Sequence, residues 1–292
     1  MVSSDWDDWF LKHELELVEP DGLSIWFIGC NGFVLRSPEA TIFIDPYFGG
    51  SVPPRLLRMA PVPFHPNDVS HCDAIFVTHE HLDHMHPPSY MPIVKNTGAH
   101  VYAPEAAWDE VSESHDSTEL NGGDHVINPG DSYEIGDLSV HVRPGSDPDA
   151  IEEVTFVVQH ESGTFFHGGD SRVCESFDEV GSEFDIDLGV LAMGSEGRQY
   201  YPDRDELVDR RKVYMDYDEV VEVANSLKLE RVAPSHYRMW KGVGANPSVL
   251  KHHSSSFEYP RIIEEIEVGD RLEIDSPGVV PPRVLDRAQS HR

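Results

Sequence analysis

The sequence predicts an α/β (α+β) protein in which two mixed β-sheets pack face to face with helices on their outer sides. Two observations predict it. Short apolar runs of strand length, bounded by Gly, Pro, Asn and Asp, recur from Leu23 to Ser235, with helical patterns set between them. Several of those runs also end directly in His or Asp, which gathers one kind of chemistry at one edge of the sandwich.

The elements follow in order. Residues 1–20 read as an N-terminal helical segment, because Trp6, Trp9, Phe10 and Leu17 stand close to helical spacing over 3–17. Two tryptophans on so short an element suggest docking to the body or to another subunit, so a homo-oligomer is one expectation. Residues 21–275 read as a single domain. Leu23–Cys30, Phe33–Arg36 and Thr41–Asp45 are three strands joined by Gly-containing turns, and the Pro-rich stretch 46–70 is a loop that could cover a site. Ala74-Ile75-Phe76-Val77 is a buried strand. Pro87-Pro88 start a helix over 88–96, Ala99–Ala103 is a strand, and a short helix follows over 104–111. His125–Ile127, Ser132–Ile135 and Leu138–Arg143 suggest a meander. Val154–His160 and Thr164–His167 pair around Glu161-Ser162-Gly163. Leu188–Met193 is another buried strand, Asp218–Leu227 an amphipathic helix, and Arg231–Ser235 a strand ending at His236. Residues 276–292 are expected to be a polar, frayed tail.

Composition narrows the function. The 292 residues carry 53 acidic against 22 basic side chains, a formal net charge of -31, and the basic residues are six Lys and sixteen Arg. Acidity is spread along the whole chain. Such a surface suits a high-salt cytoplasm, where screening removes the self-repulsion, so a halophilic protein is expected. It also speaks against nucleic acid as a partner. Cys30, Cys72 and Cys174 are far apart and form no C-x-x-C pair, which indicates neither a thiolate zinc site nor a disulfide framework and fits a reducing cytoplasm. The N-terminus has no signal-peptide pattern, and no apolar run approaches the ~20 residues of a membrane span.

The chemistry is concentrated in Thr78-His79-Glu80-His81-Leu82-Asp83-His84. Imidazole and carboxylate are the donors that zinc or manganese accept. His79 and His81, two apart, face the same way in an extended segment, while Asp83 and His84 can turn to a second ion. His167-Gly168-Gly169-Asp170 follows another strand, and its glycines let Asp170 come close to something bulky or charged. His236 ends the strand Val232–Ser235. Asp147 lies in a turn after Arg143. One ion would take His79, His81 and Asp147 or a substitute, the other Asp83, His84 and His236, and Asp170 would bridge. Asp45 and Asp73 sit where carboxylates could orient ligand imidazoles, or could cap turns.

This set, His79-x-His81-x-Asp83-His84, then Gly169-Asp170, then a strand-end His236, resembles the metallo-β-lactamase superfamily. Within it the chain is most similar to the L-ascorbate-6-phosphate lactonase group, through Ile25–Gly32, Phe43-Ile44-Asp45, Asp73–Thr78, His167–Ser171, Gly194-Ser195 and Ala233–His236 with Trp240 nearby. The resemblance implies a four-layer αββα sandwich, two divalent ions (Zn2+ or Mn2+), and hydrolysis by a water acidified between them. Asp170 and Asp83 are its candidate catalytic residues. Most superfamily members have a His as third ligand of the first ion. Here His141 lies within its strand, and Asp147 takes that place as in the lactonases. The implied substrate is a small lactone or other cyclic ester, phosphorylated or not, with Arg172, Arg198, Arg238 and Lys241 as candidate contacts for an anionic group. A phosphodiesterase and a non-catalytic metal-binding protein are the competing readings.

Overall fold

The computed structural model describes residues 4–52, 56–112, 122–194, 197–201 and 205–282, and of 197–201 and 206–211 the backbone alone. Strands β1 (Ser24–Gly29), β2 (Gly32–Arg36) and β3 (Thr41–Ile44) form an antiparallel meander. Onto it β4 (Ala74–Phe76), β5 (His100–Ala103) and β6 (Asp124–Val126) add in parallel. The second sheet repeats this plan. Strands β7 (Ser132–Ile135), β8 (Leu138–Pro144), β9 (Val154–His160) and β10 (Gly163–His167) are antiparallel, and β11 (Leu188–Ala192) joins in parallel. A separate two-stranded ribbon, β12 (Gly197–Tyr201) and β13 (Glu206–Arg211), follows. Then β14 (Arg231–Ser235) and β15 (Ile262–Ile263) extend the second sheet in parallel, while β16 (Arg271–Glu273) and β17 (Ser276–Val280) return to the first beside β1. The spatial orders are β17-β16-β1-β2-β3-β4-β5-β6 and β15-β14-β11-β10-β9-β8-β7.

Alternating side chains make the layers. Ile25, Phe27, Phe33, Leu35, Ile42 and Ile44 point between the sheets, where they meet Leu138, Val140, Phe156, Val158, Phe165 and Leu188. Phe76 and Phe156 cross that interface edge to face at 5.4 Å. The alternate residues Trp26, Val34, Phe43 and Ile75 face outward and are covered by α1 (Pro87–Thr97), α2 (Glu105–Val111) and the N-terminal segment. On the other side Phe166, Leu191 and Val232 are covered by α3 (Ser176–Glu183) and α4 (Tyr217–Ser226). This is the αββα sandwich. Local signals fix the helix ends. Prolines fill the first positions of α1, and Gly98, at φ 77°, ends it in the left-handed region. Asp216 and Glu219 form a capping box on α4.

Three expectations change. The N-terminal segment is a short π-helical piece, Leu11–Leu15, not a helix over 3–17, and Leu17 is exposed. Arg36 takes up the carbonyls of Leu15 and Val18 and so ends it. Its aromatics dock on the body: Trp6 meets Phe10 edge-on, and Phe10 stacks on Phe64 at 6.1 Å. The tail does not begin at 276, because Ser276–Val280 pairs with β16. Only Val279 of that strand packs on the core, so its polar neighbours hid the pattern. The helix α3 was not read from sequence, since it offers only Phe177 and Val180 as buried large side chains among Ser, Asp and Glu.

Every parallel strand in the middle of the sandwich ends at the same edge. The segments after β1, β3, β4, β8, β10 and β14 carry Cys30, Asp45, His79, Asp147, Asp170 and His236. Carboxyl ends of parallel strands are where α/β sheets place ligands.

Candidate metal centre

The His79–His84 segment leaves β4 and is held from behind by Asp45. Its Oδ1 accepts from Thr78 N at 2.8 Å, and its Oδ2 accepts from the Thr78 hydroxyl at 2.7 Å and from His84 Nδ1 at 2.8 Å. All three residues are buried. The bond from His84 Nδ1–H to a carboxylate fixes the tautomer with Nε2 free and turned inward. Thr78 spends its proton on Asp45, so its oxygen accepts from His79 Nδ1 at 2.9 Å and leaves His79 Nε2 free as well. Asp45 thus orients imidazoles. Asp73 does neither of the two things expected: its carboxylate accepts from Thr41 N at 2.7 Å and ties the start of β3 to that of β4.

The free nitrogens converge with the aspartates. His79 Nε2 is 2.9 Å from His81 Nδ1 and 3.8 Å from Asp147 Oδ2, and His81 Nδ1 is 3.3 Å from that same oxygen. Asp170 Oδ2 lies 3.2 Å from His84 Nε2 and 3.5 Å from His236 Nε2. His236 Nε2 is in turn 3.5 Å from Asp83 Oδ2. Three donor groups result, each with ligand atoms within 4.8 Å of one another: His79, His81, Asp147 and Asp170; His84, Asp170 and His236; and Cys30, Asp83 and His236. Asp170 belongs to two of them. His141, the alternative to Asp147, stays in β8 and bonds Ser132 and Gln159. Imidazole nitrogens and carboxylates at these separations fit divalent metal ions.

Asp170 is placed by its backbone. Its N–H donates to Glu153 Oε1 at 2.7 Å, and the Ser171 hydroxyl donates to Glu153 Oε2 at 2.6 Å. Gly169, at φ +58°, passes so close that a Cβ there would stand 2.5 Å from Glu153 Oε1. Asn31 Nδ2 reaches across from the turn between β1 and β2 to Gly169 O at 2.6 Å.

The charges sort accordingly. Burial drives the His79 pKa well below its ordinary value, with His84 adding to the shift, so this ring is neutral and ready to ligate. Burial opposes protonation of His84 too, but Asp170 and Asp45 outweigh it and raise its pKa. Burial pushes Asp170 up, and His236 and His84 more than reverse this. Burial, then Asp170, push Asp147 up to about 6.

The site opens into a cavity of about 370 Å³ lined by Val52, Leu56, Leu82, Val213, Tyr214, Trp240 and Val243 among the acids, with Lys241 as a cation. Lys241 is therefore at the cleft. Arg172 is not among the lining residues and pairs with Glu219 at 3.0 Å. Arg238 is exposed and pairs with Glu267, beside a different cavity. Arg198 lies on β12, and its side chain is outside the described residues. Sequence reasoning missed Cys30, Thr78, Glu153 and Tyr214, which stacks on His236 at 4.2 Å. Thr78 and Glu153 had no local signal, and Cys30 had no metal pattern, only its place inside Gly-Cys-Asn-Gly at the end of β1.

Two facing mixed sheets with imidazoles and carboxylates at their common edge define a metallohydrolase of the αββα class. A sequence model described as the Beta-lactamase superfamily domain matches residues 40–237, and the chain belongs to the metallo-β-lactamase superfamily. It is a hydrolase of that fold. Among curated proteins it is similar to the probable L-ascorbate-6-phosphate lactonase of Escherichia fergusonii, 22% identical over 298 residues covering 85% of this chain and 78% of the relative. Among solved structures, Igni18, a metallo hydrolase from Ignicoccus hospitalis, superposes with a TM-score of 0.65 at 16% identity, covering 86% of this chain and 97% of that one. The isothiocyanate hydrolase from Delia radicum gut bacteria gives 0.62 at 16% identity, covering 86% and 98%. Among the described residues no helix is long and apolar enough to cross a membrane.

Proposed function

We propose that this protein hydrolyses a small lactone or other cyclic ester with two divalent ions, zinc or manganese. The observation that carries the reading is Asp170, whose carboxylate is shared between the His79–His81–Asp147 donors and the His84–His236 donors. When bound, the ions acidify a water and polarise the acyl oxygen. The protein's own groups do the rest. His79, His81 and Asp147 would hold one ion, and Asp83, His84 and His236 the other. Asp170 would align the water, and Asp83, at the cavity wall, would take up its proton. Trp240 Nε1 donates to Asp83 Oδ2 at 3.1 Å and keeps that carboxylate aimed. Apolar walls exclude competing water and suit a ring with hydrocarbon surface. Lys241, the cation of the described lining, would meet one anionic or hydroxyl group of the substrate as a point charge. The three unpaired cysteines fit a cytoplasmic location.

The test is a panel of lactones, phosphorylated lactones and phosphodiesters assayed with zinc and with manganese. Lactone turnover that needs added metal and drops to background in His81→Ala and Asp170→Ala is expected. Turnover untouched in both variants, or confined to phosphodiesters, would overturn the assignment.

A further inference from the structure

The second ion of the proposed centre has a neighbour outside the set of imidazoles and carboxylates. Cys30 is buried at the end of β1, with Sγ 3.3 Å from Asp83 Oδ2 and 3.5 Å from His236 Nε2. His236 Nε2 completes the triangle, 3.5 Å from Asp83 Oδ2. An ion with bonds of ~2.0–2.3 Å to N, O and S separates ligands at tetrahedral angles by about 3.3–3.6 Å. The triangle has that size.

The His236 ring supplies an independent sign that something belongs among them. It is 2% exposed, and its Nε2 faces Cys30 Sγ, Asp83 Oδ2 and Asp170 Oδ2 at 3.5 Å each, the outer limit for a hydrogen bond to either oxygen. A buried imidazole has one proton or one lone pair at Nε2 to share among those three groups, so a cation at their centre is what would satisfy all of them. The backbone also holds the pair together: His236 N–H donates to Cys30 O at 3.1 Å. Both residues adopt left-handed backbone, φ 60° for Cys30 and φ 66° for His236, a region that side chains other than glycine or asparagine seldom enter.

We infer that Cys30 is a thiolate ligand of the second ion, completing a Cys30–Asp83–His236 face that favours zinc over manganese. This rests on the dinuclear reading above. On binding, the Cys30 S–H bond breaks, its proton passes to solvent, and the sulfur pair forms the bond to the ion; no oxidation occurs. A soft sulfur donor strengthens zinc and cobalt binding and adds little for manganese.

Full-length protein loaded with cobalt(II) separates the possibilities. The expected result is visible ligand-field bands at two equivalents together with a near-ultraviolet thiolate-to-cobalt charge-transfer band. That band should vanish in Cys30→Ser and persist in Cys174→Ser. Zinc affinity for one equivalent should fall at least about tenfold in Cys30→Ser while manganese affinity stays within about threefold. Thermal unfolding of the metal-free Cys30→Ser protein checks that it folds. Ligand-field bands without a charge-transfer band would overturn the Cys30 assignment and leave the dinuclear reading standing. No uptake of cobalt at all would overturn both.

Discussion

Replacing Asp45 by Asn changes one oxygen to an amide nitrogen and nothing in volume, yet it should disable half of the proposed centre. Asp45 accepts three hydrogen bonds, from Thr78 N, the Thr78 hydroxyl and His84 Nδ1, at 2.8, 2.7 and 2.8 Å. Asp45 and His84 are each 0% exposed, so no water can substitute. If the Asn amide nitrogen replaces Oδ2, it faces His84 Nδ1, which must then accept. The ring proton moves to Nε2, the atom 3.2 Å from Asp170 Oδ2 where an ion would be ligated. If the amide flips, its NH2 opposes Thr78 N–H and leaves two buried donors unpaired, at about 1–3 kcal/mol each. In the first orientation His84 loses its support; in the second a neutral amide oxygen replaces the carboxylate behind it and the support weakens. Loss of a partner behind a ligating histidine lowers metal affinity about 10–100-fold, equivalent to about 1.4–2.8 kcal/mol. The equivalent held by His84 should weaken more, because His84 bonds Asp45 directly, whereas His79 is reached only through the Thr78 hydroxyl. Competition titration with a chromophoric chelator measures each equivalent, and thermal unfolding of the metal-free variant checks the fold. Affinities unchanged within about twofold for both equivalents would refute the claim that Asp45 acts through the His84 tautomer.

Two further outcomes follow from charge. Burial, reinforced by Asp170, lifts the Asp147 pKa to about 6, so below that pH the carboxyl is protonated in the metal-free protein and the proton competes with the ion. Affinity for the His79–His81 equivalent should therefore fall as pH drops through about 6, and calorimetric titrations of Asp147→Asn should lose that step; a step that survives the substitution would assign it to another group. With a formal net charge of -31, the fold should gain stability as salt shortens the screening length from about 10 Å at ~0.1 M to about 3 Å at ~1 M. A melting temperature that fails to rise over that range of KCl would remove the case for a high-salt surface.

The parts of this molecule that were legible in sequence are those whose physics is local. Alternation puts Ile25 and Phe27 in one layer and Trp26 in the next, and a period of two is visible in six residues. The His79–His84 run announces its chemistry because its donors are neighbours in the chain. What stayed hidden depends on partners remote in sequence. Cys30 meets His236 across 206 positions, and as a lone cysteine it gave no metal pattern. Arg172 and Arg238 looked like free cations near the motifs until Glu219 and Glu267 turned out to face them. The strand Ser276–Val280 is set by its register on Leu272 and not by its own composition.

The cleft's charge depends on what it holds. Asp83, Asp147, Asp149 and Asp170 line it against Lys241, so without cations it carries the same sign as the rest of this acidic chain and repels anions. Two divalent ions, as proposed, would bring four positive charges against up to four negative ones and leave Lys241 in excess. A thiolate at Cys30 would offset even that. A cleft brought so near neutrality has little field with which to draw in a dianionic phosphate, whereas an uncharged or singly charged ester can enter against apolar walls and meet its polarisation only at the reacting carbonyl.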